Sequence, residues 1–358
     1  MGGPADPPEG APEGTPQGGE DEYRSVVFDE SFVRAARLQE SSARERMADH
    51  APAVRRRPAL RRGLPLQALV LVLLISVAFG TAIYMGVRHP YQSSHPGRTT
   101  PAESLRATVV PLSPLGRVPG SDDPERLFAH SPAAQFRVGA DGVTLPAVRR
   151  TTHFTESQVL AALTVAKDYV VHSALYPEVL TGGRTAPARA LLDADQLDQF
   201  DLSFRRPAAD GRHVPTGWVV RFDPAGTELA DSRIRVNGTL RIDEAGPDTL
   251  EVVADHTLVY ALRPAGAGAH AAASLFTVRR ELHFRFDRDD LRLRQTRLVV
   301  SSTQAGPASC SEDATSGLHP LFAGQSAKAG GPAGTDPYAN ADATALCGTL
   351  ANAAQPKL

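Results

Sequence analysis

Lysine is scarce in this chain of 358 residues, and Lys167, Lys328 and Lys357 are the only three. Arginine therefore carries nearly all of the positive charge. The formal net charge of −2 excludes the strongly basic surface that non-specific nucleic-acid binding requires, so we expect no nucleic-acid partner. The charge is nevertheless segregated, because residues 1–30 hold eight acids and one base whereas residues 54–62 hold five arginines and no acid.

Recognisable catalytic and metal-binding motifs are also lacking. The sequence contains no His-Glu-x-x-His, Gly-x-Ser-x-Gly, Ser-x-x-Lys or phosphate-binding loop. Ordinary sheet surface is the favoured interpretation for His256 and His283, and solvated helix charge for the aspartates of "DADQLDQFD", residues 193–201. We therefore predict no enzyme activity, no cofactor and no metal site.

Cysteine is limited to Cys310 and Cys347. Both lie in the part of the chain that the topology below predicts to be exported, where oxidation is permitted. We expect them to form a disulfide across a segment that is rich in glycine and poor in apolar residues. Two free thiols, or a two-cysteine metal site, are the alternatives.

One long hydrophobic run is present, "LPLQALVLVLLISVAFGTAIYMGV", residues 64–87. A helix of this length would cross a hydrocarbon core of roughly 30 Å. The run therefore predicts a transmembrane helix, with a buried helix or a cleaved signal peptide as the alternatives. Five arginines precede it and are expected at the inner membrane surface: Arg55, Arg56, Arg57, Arg61 and Arg62. The predicted localisation is thus the plasma membrane, single-pass, with the N-terminus cytoplasmic and the C-terminal domain extracytoplasmic.

The composition divides the chain into six parts. Residues 1–20 are an acidic tail rich in proline and glycine, which we predict to be disordered. Residues 21–63 combine a patterned motif with the polybasic segment, and the predicted transmembrane helix occupies 64–87. A linker follows at 88–106, then an exported α+β domain at 107–305 and a Gly-rich C-terminal segment at 306–358.

The exported part shows first a helical and then a strand periodicity. A helix begins after Thr155, which forms a capping box with Gln158, and a second helix fits residues 186–200. Strand patterns follow at 217–223, 233–243, 249–263, 274–287 and 291–302. Arg280 interrupts the apolar parity of the fourth of these patterns, and a bulge at Arg279–Arg280 would explain the interruption. The predicted fold is a helix packed on an antiparallel sheet, as in nuclear-transport-factor-2-like (NTF2-like) or cystatin-like rolls.

The tail contains one patterned stretch, "SVVFDESFVRAARLQESSARERM", residues 25–47. Ser31 would cap a helix from Phe32, and few strongly apolar positions follow, which is typical of a segment that folds on a partner. A helix lying on a lipid surface is the alternative. The apolar side chains expected to anchor it on the partner are Phe28, Phe32, Val33 and Leu38.

This stretch, continued by "SARERMADHAPAVRRRP", resembles a family of streptomycete membrane proteins linked to spore-wall synthesis. The segment "SCSEDATSGLHPLFAGQSAKA" and the later Cys347 are also similar to that family. The resemblance implies membership of a complex that couples the actin-like MreB cytoskeleton to peptidoglycan synthesis. The implied partners are the membrane, cytoskeletal and cell-wall synthesis proteins, and peptidoglycan or wall enzymes outside. The match to the family's motif also implies a partner-binding role for Asp29, Arg34, Ala36, Arg37, Gln39 and Glu40.

The sequence favours a bitopic membrane scaffold or adaptor of a spore-wall synthesis complex. It would tether a cytoplasmic partner to an exported interaction domain. A membrane-anchored sensor whose exported roll binds a small wall-derived ligand is one alternative, and an exported wall hydrolase is another.

Overall fold

The computed structural model describes residues 70–77, 79, 103–328, 333–338 and 347–358. Residues 70–77 are helical and belong to a unit that is separate from the domain of residues 89–358. All further elements lie in that domain.

The domain contains a sheet and seven described α-helices, of which only one exceeds nine residues. The helices are α1 (Pro124–Ala129), α2 (Glu156–Ala174), α3 (Pro177–Leu180), α4 (Ala186–Arg189), α5 (Leu197–Arg205), α6 (Pro215–Trp218) and α7 (Arg288–Leu293). The strands are β1 (Arg106–Ser113), β2 (Arg137–Val138), β3 (Thr227–Gly246), β4 (Thr249–Pro264), β5 (Ser274–Phe286), β6 (Arg297–Gly306), β7 (Ala333–Thr335) and β8 (Gly348–Leu350).

The strands form one mixed sheet in the order β2-β3-β4-β5-β6-β1-β8-β7. Strands β3 to β6 are an antiparallel meander, and β2 pairs antiparallel with β3 at one edge. Strand β1 pairs in parallel with β6 and then with β8, which pairs in parallel with β7. The first strand of the domain is thus inserted beside the last strand of the meander.

Helix α2 covers one face of the meander, and its start is set locally. The predicted capping box is confirmed, since the Gln158 amide donates to the Thr155 hydroxyl oxygen and the Thr155 amide donates to the Gln158 side chain. Its buried face includes Val159, Leu163 and Tyr169, which pack against alternate residues of β3, β4 and β5. The main hydrophobic core therefore lies between α2 and the sheet.

The opposite face of the sheet carries a second, smaller core. Leu127 and Phe128 of α1 pack there against Val259 and Ala261 of β4. Because both faces are covered at this point, residues 257–262 are all buried. An alternating pattern in β4 therefore gives way to continuous burial.

The fold-class prediction is wrong in its architecture, because the sheet is mixed rather than antiparallel. The parallel strand β1 lies where the sequence predicts the end of the linker and the start of the domain, because its short sequence with Pro111 has no clear alternation. The pattern at 217–223 is also not a strand. Its first residues, through Trp218, end helix α6, and Val219, Val220 and Phe222 then fill the core from irregular backbone. A roll of the NTF2-like or cystatin-like type is therefore not supported.

The predicted bulge at Arg279–Arg280 is absent, because β4 and β5 stay in continuous register through both residues. The irregularity of β5 lies instead at His283–Phe284, opposite β6. The parity of β5 is thus unbroken, and Arg280 enters the core on the face that carries Val278 and Leu282. His256, expected on the sheet surface, is also buried, at 1% exposure.

The predictions of a transmembrane helix and of single-pass plasma-membrane localisation are contradicted. Among the residues that the structure describes, no helix combines the length and the apolar character needed to cross a membrane. The described helical residues 70–77 would rise about 12 Å, against a hydrocarbon core of roughly 30 Å. Phe79 is also described. The other residues of the hydrophobic run, 64–69, 78 and 80–87, lie outside the described part.

Candidate functional site

The residues predicted to bind a partner in the tail, Phe28 to Glu40, lie outside the described residues. So do the five predicted membrane-surface arginines, Arg55 to Arg62. The structure therefore neither brings these side chains together nor separates them, and their roles remain predictions from sequence.

The predicted disulfide between Cys310 and Cys347 is confirmed. Their Cα atoms are 5.8 Å apart, and the bond closes a loop with a sequence separation of 37 residues. Because Cys347 directly precedes β8, the bond ties this strand to the segment that follows β6. The alternatives of two free thiols or a two-cysteine metal site are wrong.

A cavity with convergent charge lies at the β2 edge of the sheet, and we call it the basic pocket. It has a volume of about 680 Å³, within the roughly 300–1,000 Å³ typical of small-molecule sites. Its lining consists of Phe136, Arg137, Val138, Asp141, Val143, Thr144, Leu145, Lys167 and Arg235. Three cations from three different elements thus line one cavity together with apolar side chains.

Glycines shape the wall of the basic pocket. Gly139 follows β2 with φ of +60°, a left-handed conformation that other residues rarely adopt. Gly142 lies against the backbone carbonyl of Val236, where any added Cβ would overlap it. The chain can therefore turn tightly after β2, which brings Asp141 and Val143 alongside Arg137.

Arg235 of β3 is held in place by two contacts. Its Nη2 donates to both carboxylate oxygens of Glu125, at 2.8 and 2.9 Å, and its guanidinium lies 5.1 Å from the ring centroid of Phe128. Only 15% of the Arg235 side chain is exposed, and its Nε is buried without a hydrogen-bond partner. The guanidinium of Arg235 is thus held in a fixed position, while its Nε lacks a hydrogen-bond acceptor.

Arg137 and Lys167 differ from Arg235, because neither makes an ion pair with any residue of the described ranges. Arg137 lies on the two-residue edge strand β2, and Lys167 lies in the middle of α2. Asp141 is the one acid in the pocket lining. Two uncompensated cations are therefore available to a ligand that carries negative charge.

The apolar part of the pocket is also accessible. Val138 is 40% exposed and Leu145 is 39% exposed, whereas Val143 beneath them is fully buried. Phe136 packs against Tyr338 with ring centroids 5.8 Å apart. The arrangement suits a small molecule with an anionic group and an apolar or sugar-like body.

A cluster of carboxylates surrounds Arg297. Arg297 Nη2 donates to Asp287 at 2.9 Å and to Asp290 at 3.0 Å, and Arg297 Nε lies 3.5 Å from Asp193. Burial raises the pKa of Asp290 to about 7. Asp287 and Asp290 also form the capping box of α7, so the cluster is accounted for by helix capping.

Structural partners are found for three of the residues singled out in the sequence, Asp193, Asp201 and His283, whereas both ring nitrogens of His256 are buried without a hydrogen-bond partner. Asp201 binds Arg189 at 2.7 Å, and Asp193, expected to be solvated, is only 5% exposed and caps a turn. His283 lies between Glu251 and Glu281, at 3.0 and 2.8 Å. No group of three potential metal ligands occurs within the described part of the chain.

Sequence reasoning missed the basic pocket, since its cations are separated by up to 98 positions along the chain, from Arg137 to Arg235. The one available signal was Lys167, an isolated lysine in a chain that otherwise uses arginine.

Comparisons with protein-family models, with curated proteins and with solved structures found no match.

Proposed function

We propose that this chain is a binding protein whose folded domain takes a small anionic ligand in the basic pocket. The observation that carries the proposal is the meeting of Arg137, Lys167 and Arg235 at an open cavity with an apolar wall. Two of these cations have no acidic partner in the described structure. An anion bound there would form charge-assisted hydrogen bonds, which are worth about 1.5–3 kcal/mol each.

The resemblance to spore-wall proteins narrows the ligand class to a wall-derived anionic sugar. N-acetylmuramic acid is a suitable probe, because it carries a carboxylate on a sugar body. N-acetylglucosamine is its matched neutral control, since it has the same ring and acetamide without the carboxylate. Binding of each sugar to the full chain can be measured by isothermal titration calorimetry.

We expect N-acetylmuramic acid to bind at least about tenfold more tightly than N-acetylglucosamine, because only the acid can pair with the free cations. Replacing Lys167 or Arg137 with alanine should weaken binding of the acid about tenfold in each case. Both substitutions together should weaken it about a hundredfold.

Arg150→Ala is the control variant, because Arg150 is an exposed cation outside the pocket lining. It should leave the affinity unchanged. Equal binding of the acidic and the neutral sugar would contradict the proposal, as would full affinity in the Lys167→Ala/Arg137→Ala variant.

The motif at residues 28–40 supports a second function, an adaptor that docks a partner protein of a cell-wall synthesis complex. Its apolar residues are few and spaced as in segments that fold on a partner. In this proposal the tail supplies the docking segment and the folded domain supplies the ligand site.

Replacing Phe32 and Leu38 together with alanine is expected to abolish docking, because these two side chains are among its few large apolar anchors. The measurement is the localisation of the tagged full chain in sporulating hyphae. Wild type should mark sporulation septa and the double variant should spread, whereas Glu45→Ala, outside the motif, should behave as wild type. Identical localisation of the double variant and wild type would show that the motif does not target the chain.

A further inference from the structure

A row of polar side chains crosses the core face of the sheet beneath α2. His256 of β4 is paired with Arg280 of β5, and Arg280 is paired with Thr303 of β6. All three are buried, with exposures of 1%, 2% and 1%. Directly paired residues on adjacent strands have Cβ atoms about 5 Å apart, so Arg280 lies between His256 on one side and Thr303 on the other.

Arg280 has no acidic partner among the described residues. Its Nη1 donates to the Ser173 hydroxyl oxygen at 3.1 Å, and its Nη2 donates to the Gly217 carbonyl oxygen at 2.8 Å. Both acceptors are neutral, and its Nε is buried without a partner. Arginine does not give up its proton in proteins, so the core holds an uncompensated positive charge. Such a charge is strongly unfavourable unless something of opposite sign lies beside it.

The tyrosines near Arg280 do not supply that charge. The Tyr169 hydroxyl donates to the Trp218 carbonyl oxygen, and the Tyr260 hydroxyl donates to the Ala174 carbonyl oxygen. Burial raises the pKa of both tyrosines far above the ordinary value, which keeps them neutral. The compensating group is therefore not provided by any residue that the structure describes around Arg280.

Hydrogen-bond donors are in excess along the row. Both ring nitrogens of His256 and the hydroxyl oxygens of Thr303 and Ser301 are buried without partners, in addition to Arg280 Nε. Ser301 is the diagonal neighbour of Arg280, since it pairs with Leu282. A neutral imidazole provides one donor and one acceptor, and each hydroxyl can donate. Four donors thus lie together in a positively charged part of the core.

We propose that this row binds one small monovalent inorganic anion, chloride being the most available candidate in water. The anion would supply the negative charge that Arg280 lacks and accept from Arg280 Nε, the Thr303 hydroxyl and the His256 ring. A narrow cleft lined by Val109 and Ala305 lies beside the row, and Val109 is the parallel partner of Thr303 in β1. Its free volume of about 10 Å³ is close to that of one water-sized particle, and its lining includes Glu312 and His319 but none of the four donors.

The test measures thermal unfolding of the full chain at constant ionic strength while chloride replaces gluconate, an anion too large to enter. We expect the midpoint temperature to rise by several degrees as chloride increases, because a ligand that binds only the folded state stabilises it. Bromide should act like chloride. Broadening of the ³⁵Cl NMR line by the wild-type protein provides a direct measure of binding.

Three variants separate this site from a general salt effect. Thr303→Val removes one donor with little change in volume and should weaken chloride binding severalfold. Arg280→Met should abolish both the midpoint shift and the NMR broadening. Arg279→Met is the matched control, because Arg279 precedes Arg280 on the opposite face of β5 and pairs with Asp255 at 2.8 Å. It should lower stability without changing the chloride dependence.

If Arg280→Met does not fold, wild type and Thr303→Val still decide the question. The proposal is overturned if chloride and gluconate stabilise wild type equally. It is also overturned if the chloride dependence and the ³⁵Cl broadening are the same in Thr303→Val as in wild type.

Discussion

Replacing both Cys310 and Cys347 with serine is expected to lower the free energy of unfolding by about 4 kcal/mol. The disulfide closes a loop with a separation of 37 residues, which restricts the unfolded chain far more than the folded one. Cys347 leads directly into β8, whose residues Gly348 and Thr349 pair with Leu112 and Ser113 of β1. The loss should therefore release the β8 edge of the sheet as well as the loop.

Denaturant unfolding of the wild type and the double serine variant, both under oxidising conditions, measures this effect. For a domain of this size, 4 kcal/mol corresponds to a fall of about 8–16 °C in the melting temperature. In the presence of a reductant the two proteins should unfold together, which is the internal control. Coincident oxidised transitions would show that the cross-link does not stabilise the domain.

Acidification from pH 7 to pH 4 lowers the free energy of unfolding of the wild type. Replacing His256 with leucine is expected to make this loss about 3 kcal/mol smaller. Burial lowers the pKa of His256 from its ordinary value of 6.5 to about 4, while the neighbouring Asp255 carboxylate opposes this only in part. The unfolded chain therefore binds a proton at this histidine below pH 6.5 that the folded chain does not bind until about pH 4. The stability that depends on neutral His256 is complete above about pH 7 and is lost as the pH falls through this range.

The measurement is urea unfolding of wild type and of His256→Leu at pH 7 and at pH 4. The wild type should lose about 3 kcal/mol more than the variant between the two pH values. Asp290 acts in the opposite direction, because burial raises the pKa of this carboxyl to about 7 and favours the folded state as the pH falls. Its contribution is the same in both proteins and cancels in the comparison.

His270→Leu is the control for this experiment, because His270 is exposed. It should retain the acid sensitivity of the wild type. If His256→Leu loses as much stability on acidification as wild type does, then the histidine is not buried in its neutral form.

Local chemistry predicted some elements of this domain well. The capping box at Thr155 depends only on residues within one helical turn, so the start of α2 could be found from the sequence. The regions of β3, β4 and β5 followed from their period of two. The strand predicted at 291–302 begins too early, because its first residues belong to α7 and β6 starts only at Arg297.

Long-range placement could not be found in the same way. Strand β1 pairs with β6 across nearly two hundred residues, and no local pattern encodes a parallel partner at that distance. Arg280 illustrates the consequence for function. Its place in an apolar pattern suggested a bulge at Arg279–Arg280, but β4 and β5 stay in continuous register through both residues and Arg280 is buried.

The sequence by itself determined the disulfide partners, the N-terminal cap of α2 and the alternation of the long strands, because each depends on residue identity or near neighbours. Tertiary structure alone decided the insertion of β1, the burial of His256 and Arg280, and the meeting of Arg137, Lys167 and Arg235 at one pocket. The physical reason is that register and packing act on whole strands at once. A single polar residue therefore follows its strand into the core, and distant cations converge wherever the sheet edge and the helix place them.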